Sequence, residues 1–288
     1  MNKKLRIPTC LAAVLGLATL SHTVSAQFVT PTSPVSQSLT AVLANAADGD
    51  HRSDKQKARN KYRHPAETLA FFDIKPGQTV VEISPGGGWY TSVIAPALGK
   101  EGKLYAAHFL INDDTRPYFK KSRKSFEDKV NTKPEYGNVV MTDFHPTNAH
   151  NIAPAGSADA VLTFRNVHNW YMRHGDEGLL ASFKAFNKAL KPGGTLGVVE
   201  HRLPEDRSVE DQQKSGYMKE SYIIDIAKKA GFKLAAKSEI NANPKDTADH
   251  PKGVWTLPPR LMLEDTDKEK YLAIGESDRM TLKFVKTQ

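Results

Sequence analysis

The sequence is 288 residues long and contains a single cysteine, Cys10. One thiol excludes an internal disulfide and any cysteine-built metal site. No apolar run reaches the roughly 20 residues that a membrane-crossing helix needs, so a polytopic membrane protein is excluded. No repeat recurs at a solenoid or propeller period. There is no G-x-S-x-G elbow and no Gly-Lys-Ser/Thr after a glycine run, which argues against a serine hydrolase and a P-loop nucleotidase. No His-x-x-x-His or Glu-x-x-His pair lies on a convincing helix, so metal-ligand spacing is missing and no metal is expected.

What remains is an ordinary soluble composition, 39% hydrophobic and 25% charged, which excludes a disordered or collagen-like chain. The net charge is +8, and part of it sits at the start. Lys3, Lys4 and Arg6 precede an apolar stretch over 7–20, and Val24-Ser25-Ala26 follows with small residues at the two positions that signal peptidase reads. This order predicts a secretory signal peptide, residues 1–26, with cleavage after Ala26 and a periplasmic or secreted chain. The stretch is short for an uncleaved anchor, so no stable membrane insertion is expected after cleavage. Cleavage removes three cations and lowers the charge to +5. It also removes Cys10, which suits an oxidising compartment. The densest remaining basic run, Lys120 to Lys124, has no interleaved aromatics. It reads as the wet face of a helix and argues against a nucleic-acid partner.

Residues 27–64 read as a Ser/Thr/Pro-rich linker followed by a helical extension, with a short helix over 39–47 and a polar, basic segment over 51–64. From position 65 to 288 the pattern is that of one domain. Strand-like runs at 79–83, 103–108, 138–142, 158–164, 195–200, 232–240 and 279–286 alternate with helix-like runs at 89–98, 115–130, 177–190 and 219–230. Seven strands with interleaved helices predict a doubly wound, Rossmann-like α/β sheet. One interval breaks the rhythm. Residues 241–278 form a long insertion before the last strand, either a lid over a site or a loop packed on its own side chains. As a lid, it would turn Asn243, Lys245, Asp246 and Trp255 toward the site.

The segment Glu82-Ile83-Ser84-Pro85-Gly86-Gly87-Gly88-Trp89-Tyr90-Thr91 runs strand, glycine turn, helix. Such a turn brings main-chain amides close to a ligand at a helix start. In open α/β sheets, ligands bind at the carboxyl ends of the strands. The spacing departs from G-x-G-x-x-G, which argues against a dinucleotide cradle. A purely structural turn is the other reading.

Here the sequence resembles the class I S-adenosylmethionine-dependent methyltransferases, over roughly residues 65–286. Glu82, Gly86 and Gly88 match the family's first motif, with Ser84 where its first glycine stands. Asp143-Phe144 follows the third strand, and Leu190-Lys191-Pro192-Gly193-Gly194 leads into the fifth. Thr163-Phe164-Arg165-Asn166-Val167 resembles the segment after strand four of ubiquinone and menaquinone C-methyltransferases. The resemblance implies S-adenosylmethionine as cofactor, a small-molecule methyl acceptor and a last strand running antiparallel. It places Glu82, Ser84, Gly86 and Gly88 at the cofactor's amino-acid end, and Asp143 and Phe144 at its adenine. The family ends strand two with an acid that accepts from both ribose hydroxyls. This sequence has His108 there, and neutral imidazole accepts one bond, not a bidentate pair. His108 or Asp113, with Asp114 beside it, then faces the ribose.

The segment 165–171 falls just past strand four. It is either a loop capped by its own side chains or the wall between cofactor and acceptor. In the second case His168 is the general base, since imidazole titrates near neutrality, and Asn166 or Arg165 orients the acceptor. Glu200-His201-Arg202 either lines the acceptor pocket or is a solvated strand end. The alternative to an enzyme is an exported, non-catalytic small-molecule or nucleotide-binding protein on the same fold, which His108 favours.

Overall fold

The computed structural model describes residues 34–148 and 150–287. The expected signal peptide and the first part of the linker lie outside the described residues. No described helix is long and apolar enough to cross a membrane.

The described residues open with four helices, α1 Pro34–Asp48, α2 Asp54–Lys57, α3 Asn60–Arg63 and α4 Pro65–Phe71. An alternation follows: β1 Thr79–Ile83, α5 Thr91–Leu98, β2 Lys103–Phe109, α6 Pro117–Thr132, β3 Val139–Phe144, β4 Ala158–Phe164, α7 Val167–Ala189 and β5 Leu190–Leu203. Then come α8 Val209–Ser215, β6 Met218–Lys219, α9 Glu220–Lys229, β7 Phe232–Ser238, α10 Lys268–Ile274 and β8 Arg279–Lys286. The sheet order is β3-β2-β1-β4-β5-β8-β7, and the two-residue β6 pairs with β5 off this path. Strands β1 to β5 are mutually parallel, while β8 runs antiparallel to both β5 and β7. The doubly wound sheet with an antiparallel last strand is therefore present, with one extra short strand.

The alternation of side chains along the central strands builds two cores. On one face Val81, Ile83, Val161 and Val198 pack with Trp170, Phe183 and Phe186 of α7 and Ile223 and Ile226 of α9. On the other, Val80, Ala160, Leu162 and Val199 pack with Leu43 of α1, Leu69 of α4, Phe72 just after it, and Val93 and Leu98 of α5. The extension before residue 65 is thus part of the body. Leu43 and Arg63 are almost fully buried.

One boundary differs from expectation in a way that matters. Helix α7 starts at Val167, so His168 to Tyr171 form its first turn rather than a loop. The kink at Gly175 (φ 59°, ψ −161°) separates this turn from the helical run over 177–190 that the periodicity predicts. The early start has a tertiary cause. Glu200 on β5 accepts from the backbone N–H of Val167 at 2.6 Å and of His168 at 3.3 Å. It supplies the acceptor that a local N-cap residue normally provides.

Candidate functional site

The switch point of this sheet lies between β1 and β4, where successive connections leave in opposite directions. The polar residues that the sequence singles out gather around its carboxyl edge. Ser84, the residue after β1, takes a left-handed backbone (φ 51°), anchored by its N–H on Ala107 O at 2.8 Å. A serine here bears the strain that glycine avoids. Its hydroxyl is buried and has no hydrogen-bond partner. Gly86 follows at φ 58°, and a Cβ on Gly86 or Gly87 would meet nothing within 4 Å. The turn is thus held open, with an unpaired hydroxyl beside it. Glu82 lies beneath, buried, accepting from Thr91 Oγ1 at 2.6 Å. Burial pushes its carboxyl up to about 7, and the Thr91 hydrogen bond only partly opposes this.

His108 is the penultimate residue of β2, fully buried. Phe109 N–H donates to its Nδ1 at 2.8 Å, so the proton sits on Nε2, which donates to Gly86 O at 3.0 Å. Both ring nitrogens are spent. His108 therefore clasps the glycine turn and offers no acceptor to a ribose, contrary to the expectation. Burial also holds its pKa down to about 4, so the ring is neutral. Phe126 of α6 packs 5.2 Å from the His108 ring and closes the space beside Gly88. Lys129 donates to Gly87 O at 2.8 Å.

The adenine residues divide. Adjacent strand residues point to opposite faces, and Phe144 turns into the core, 5.1 Å from Trp170 and 5.7 Å from Phe186. It forms no wall of the site. Asp143 stays half-exposed and is paired with Arg123, which also donates to Phe109 O at 2.7 Å. Arg123 is thus an anchor, while its neighbours Lys120, Lys121 and Lys124 form the exposed helix face expected of that run. Asp113 is exposed in the turn after β2, its carbonyl held by Lys120.

Across the edge lie His168, Glu200 and His201, all buried. A carboxylate only accepts, so the 2.8 Å contact from His168 Nδ1 to Glu200 Oε1 fixes the proton on Nδ1. His168 Nε2 is then an acceptor, facing the Asn169 amide at 2.8 Å. This is the carboxylate–imidazole geometry of an oriented general base. Ser277 Oγ lies 2.5 Å from His201 Nδ1, and burial holds His201 neutral. Of the insertion, Ser277 and Trp255 reach this group, the Trp255 ring 6.1 Å from that of His168. Its Asp246 and Asn243 are held elsewhere by hydrogen bonds. Asp246 accepts from Tyr217, His250, Ala248 and Asp278, and the Asn243 amide donates to Ile274 O and Glu276 O. Lys245 is exposed.

The ligand atoms of His168, Glu200 and His201 lie within 4.8 Å of one another, close enough for a metal by distance alone. The charges there oppose a dication, since Arg279, Arg165 and Arg63 all bear on His201. Asn166 donates to Ile83 O at 3.0 Å, tying β4 to β1 rather than reaching for an acceptor. Arg165, at φ 60°, has its N–H on Val199 O at 2.7 Å. It belongs to a group that sequence spacing did not reveal. Glu276 pairs with Arg59 at 2.6 Å, Arg63 at 3.2 Å and Arg279 at 2.6 Å. The basic bias of residues 51–64 was the one hint of it.

No family model matches the sequence, and no curated relative matches it. Solved structures do match in fold. A SAM-dependent methyltransferase from Aquifex aeolicus is 15% identical, with 86% of this chain and 98% of that one covered and a TM-score of 0.54. A putative sarcosine dimethylglycine methyltransferase from Galdieria sulphuraria is 11% identical, with 83% and 88% covered and a TM-score of 0.56. The [4+2]-cyclase SpnF is 14% identical, with 86% and 93% covered and a TM-score of 0.54. The chain has the fold of the class I S-adenosylmethionine-dependent methyltransferases.

Proposed function

We propose that this protein is an exported S-adenosylmethionine-dependent methyltransferase acting on a small molecule. The observation that carries the reading is the open turn at Ser84, Gly86 and Gly87, with its unpaired buried hydroxyl, on the same sheet edge as the His168–Glu200 pair. The turn suits the amino-acid end of the cofactor: Ser84 Oγ and the main chain of Gly86 and Gly87 would hold it, with Glu82 beneath. The cofactor supplies an activated methyl group. The protein positions the two reactants and, where the acceptor carries a proton, removes it. His168 Nε2, which accepts from the Asn169 amide, would take that proton once the methyl acceptor displaces the amide, and Glu200 would stabilise the imidazolium that results. Export rests on the signal pattern of residues 1–26.

Release of S-adenosylhomocysteine from S-adenosylmethionine, measured with a panel of small acceptors, tests the reading. Turnover that falls at least tenfold in His168→Asn, with cofactor affinity kept, supports it. Turnover unchanged in that variant removes His168 as the base. One observation favours a second reading, an exported binding protein or an enzyme of another reaction. His108 offers no ribose acceptor, and SpnF shows that this fold is not confined to proteins described as methyltransferases.

A further inference from the structure

Arg59, Arg63 and Arg279 converge on one carboxylate, Arg165 adds its charge to the same group, and the protein leaves part of their donor capacity unused. Glu276 accepts from Arg59 on Oε1 and from Arg63 and Arg279 on Oε2. No other carboxylate among the described residues pairs with any of the four. The group therefore holds four guanidinium charges against one carboxylate. Arg63 is 2% exposed, yet its Nη1 has no partner, and Arg59 Nη2 is buried without one. The Arg165 side chain hydrogen-bonds to no described residue. Buried, unpaired charged donors are costly, and folds keep them where a ligand supplies the acceptor. Planar guanidinium forks match a carboxylate or phosphate.

The place of the group decides which ligand. Arg165 directly follows β4, and Phe164 before it stacks on Tyr90 at 3.6 Å. Tyr90 donates to Arg63 O at 3.0 Å. Arg63 itself lies over Trp89, 4.5 Å from the ring centre. Arg279 pairs in register with His201. The cations thus lie between the glycine turn and the His168–Glu200–His201 group. The cofactor's amino-acid end is a zwitterion, and its ammonium would be repelled here, because both oxygens of Glu276 are already taken. A ligand group with net negative charge is what the surplus selects.

We infer that Arg59, Arg63 and Arg165 form a receptor for an anionic group, a carboxylate or phosphate, carried by the methyl acceptor. The inference rests on the methyltransferase reading for the word acceptor, but not for the anion. Burial pulls Arg165 down to about 10 and holds Arg63 well below its ordinary value, as expected of cations awaiting a counter-charge.

The test is calorimetric titration of the folded full chain with inorganic phosphate at constant ionic strength, repeated with S-adenosylhomocysteine and its decarboxylated analogue. Arg165→Gln is the main variant, because its side chain supports no other part of the fold. Arg63→Lys is the second, and Lys124→Gln, on the exposed face of α6, is the control. The parent and Lys124→Gln bind phosphate, and Arg165→Gln binds it about tenfold more weakly or worse. S-adenosylhomocysteine affinity stays within about twofold in Arg165→Gln, since the receptor is not the cofactor's. Phosphate binding that is absent in the parent, or equal in parent and Arg165→Gln, overturns the receptor. A tenfold loss for S-adenosylhomocysteine but not for the decarboxylated analogue overturns the assignment to the acceptor and gives the site to the cofactor. Phosphate binding without any S-adenosylhomocysteine binding leaves the receptor standing and removes the methyltransferase reading.

Discussion

His168 donates from Nδ1 to Glu200 Oε1 at 2.8 Å, and the same carboxylate caps the backbone of the helix that carries His168. One buried group therefore fixes the tautomer of the proposed base and the start of α7. Glu200 receives four donors, the fourth being His201 N–H at 2.8 Å.

A glutamine at position 200 can accept through one oxygen only, and its amide would face donors. Glu200→Gln is expected to lose about 2 kcal/mol or more of stability. His168 should also lose its fixed tautomer. Denaturant unfolding checks the first effect. An unchanged midpoint would show that the capping bonds contribute nothing.

His108 sets an acid limit on stability. Its folded pKa, about 4, lies below the ordinary 6.5. The unfolded chain then takes up a proton that the folded ring refuses, so stability falls as pH drops from about 6.5 to 4 and this contribution is flat below. The full loss from this ring is about 3 kcal/mol. His108→Asn should flatten that part of the pH–stability curve. An NMR titration of the ring that gives an ordinary midpoint would refute the burial argument.

Glu276 adds to this acid loss at lower pH. Its four arginines outweigh the cost of burial and hold its carboxyl down to about 2. The stabilisation is complete above its ordinary 4.5 and is lost as pH falls toward 2. Glu276→Gln leaves the guanidinium groups uncompensated and should cost about 3–5 kcal/mol. Phosphate should recover part of this in a thermal melt. A melt of Glu276→Gln that matches the parent would contradict the charge balance described here.

The insertion is pinned rather than free, with Asp246 at its centre. Asp246→Asn should raise hydrogen exchange across 241–278 while leaving the strands β1, β4 and β5 protected. Exchange that is already fast in the parent would favour a mobile lid instead.

Much of this fold is legible in the sequence because its signals are local. The apolar run 158–164 and the turn at Gly86–Gly88 announce a central strand and its ligand edge without any knowledge of neighbours. The start of α7 is not legible, because its cap acceptor, Glu200, lies 33 residues away from Val167. Asp143 and Phe144 are adjacent in sequence, yet strand alternation sends one to the surface and the other into the core. The arginine group is the extreme case. Arg59 and Glu276 are 217 residues apart, and only the fold joins them. His108 is visible as a departure from the family pattern, but its bond to Gly86 O is not.

The central claim is that the turn at Ser84–Gly88 holds S-adenosylmethionine. Calorimetric titration of the folded chain with S-adenosylmethionine and S-adenosylhomocysteine tests it most directly. Both should bind, about tenfold or more weakly in Gly86→Val, because a branched side chain at φ 58° strains the turn and fills the open space beside it. No binding of either by the parent, in a chain shown to be folded, would contradict the claim and leave the exported binding protein as the reading that stands.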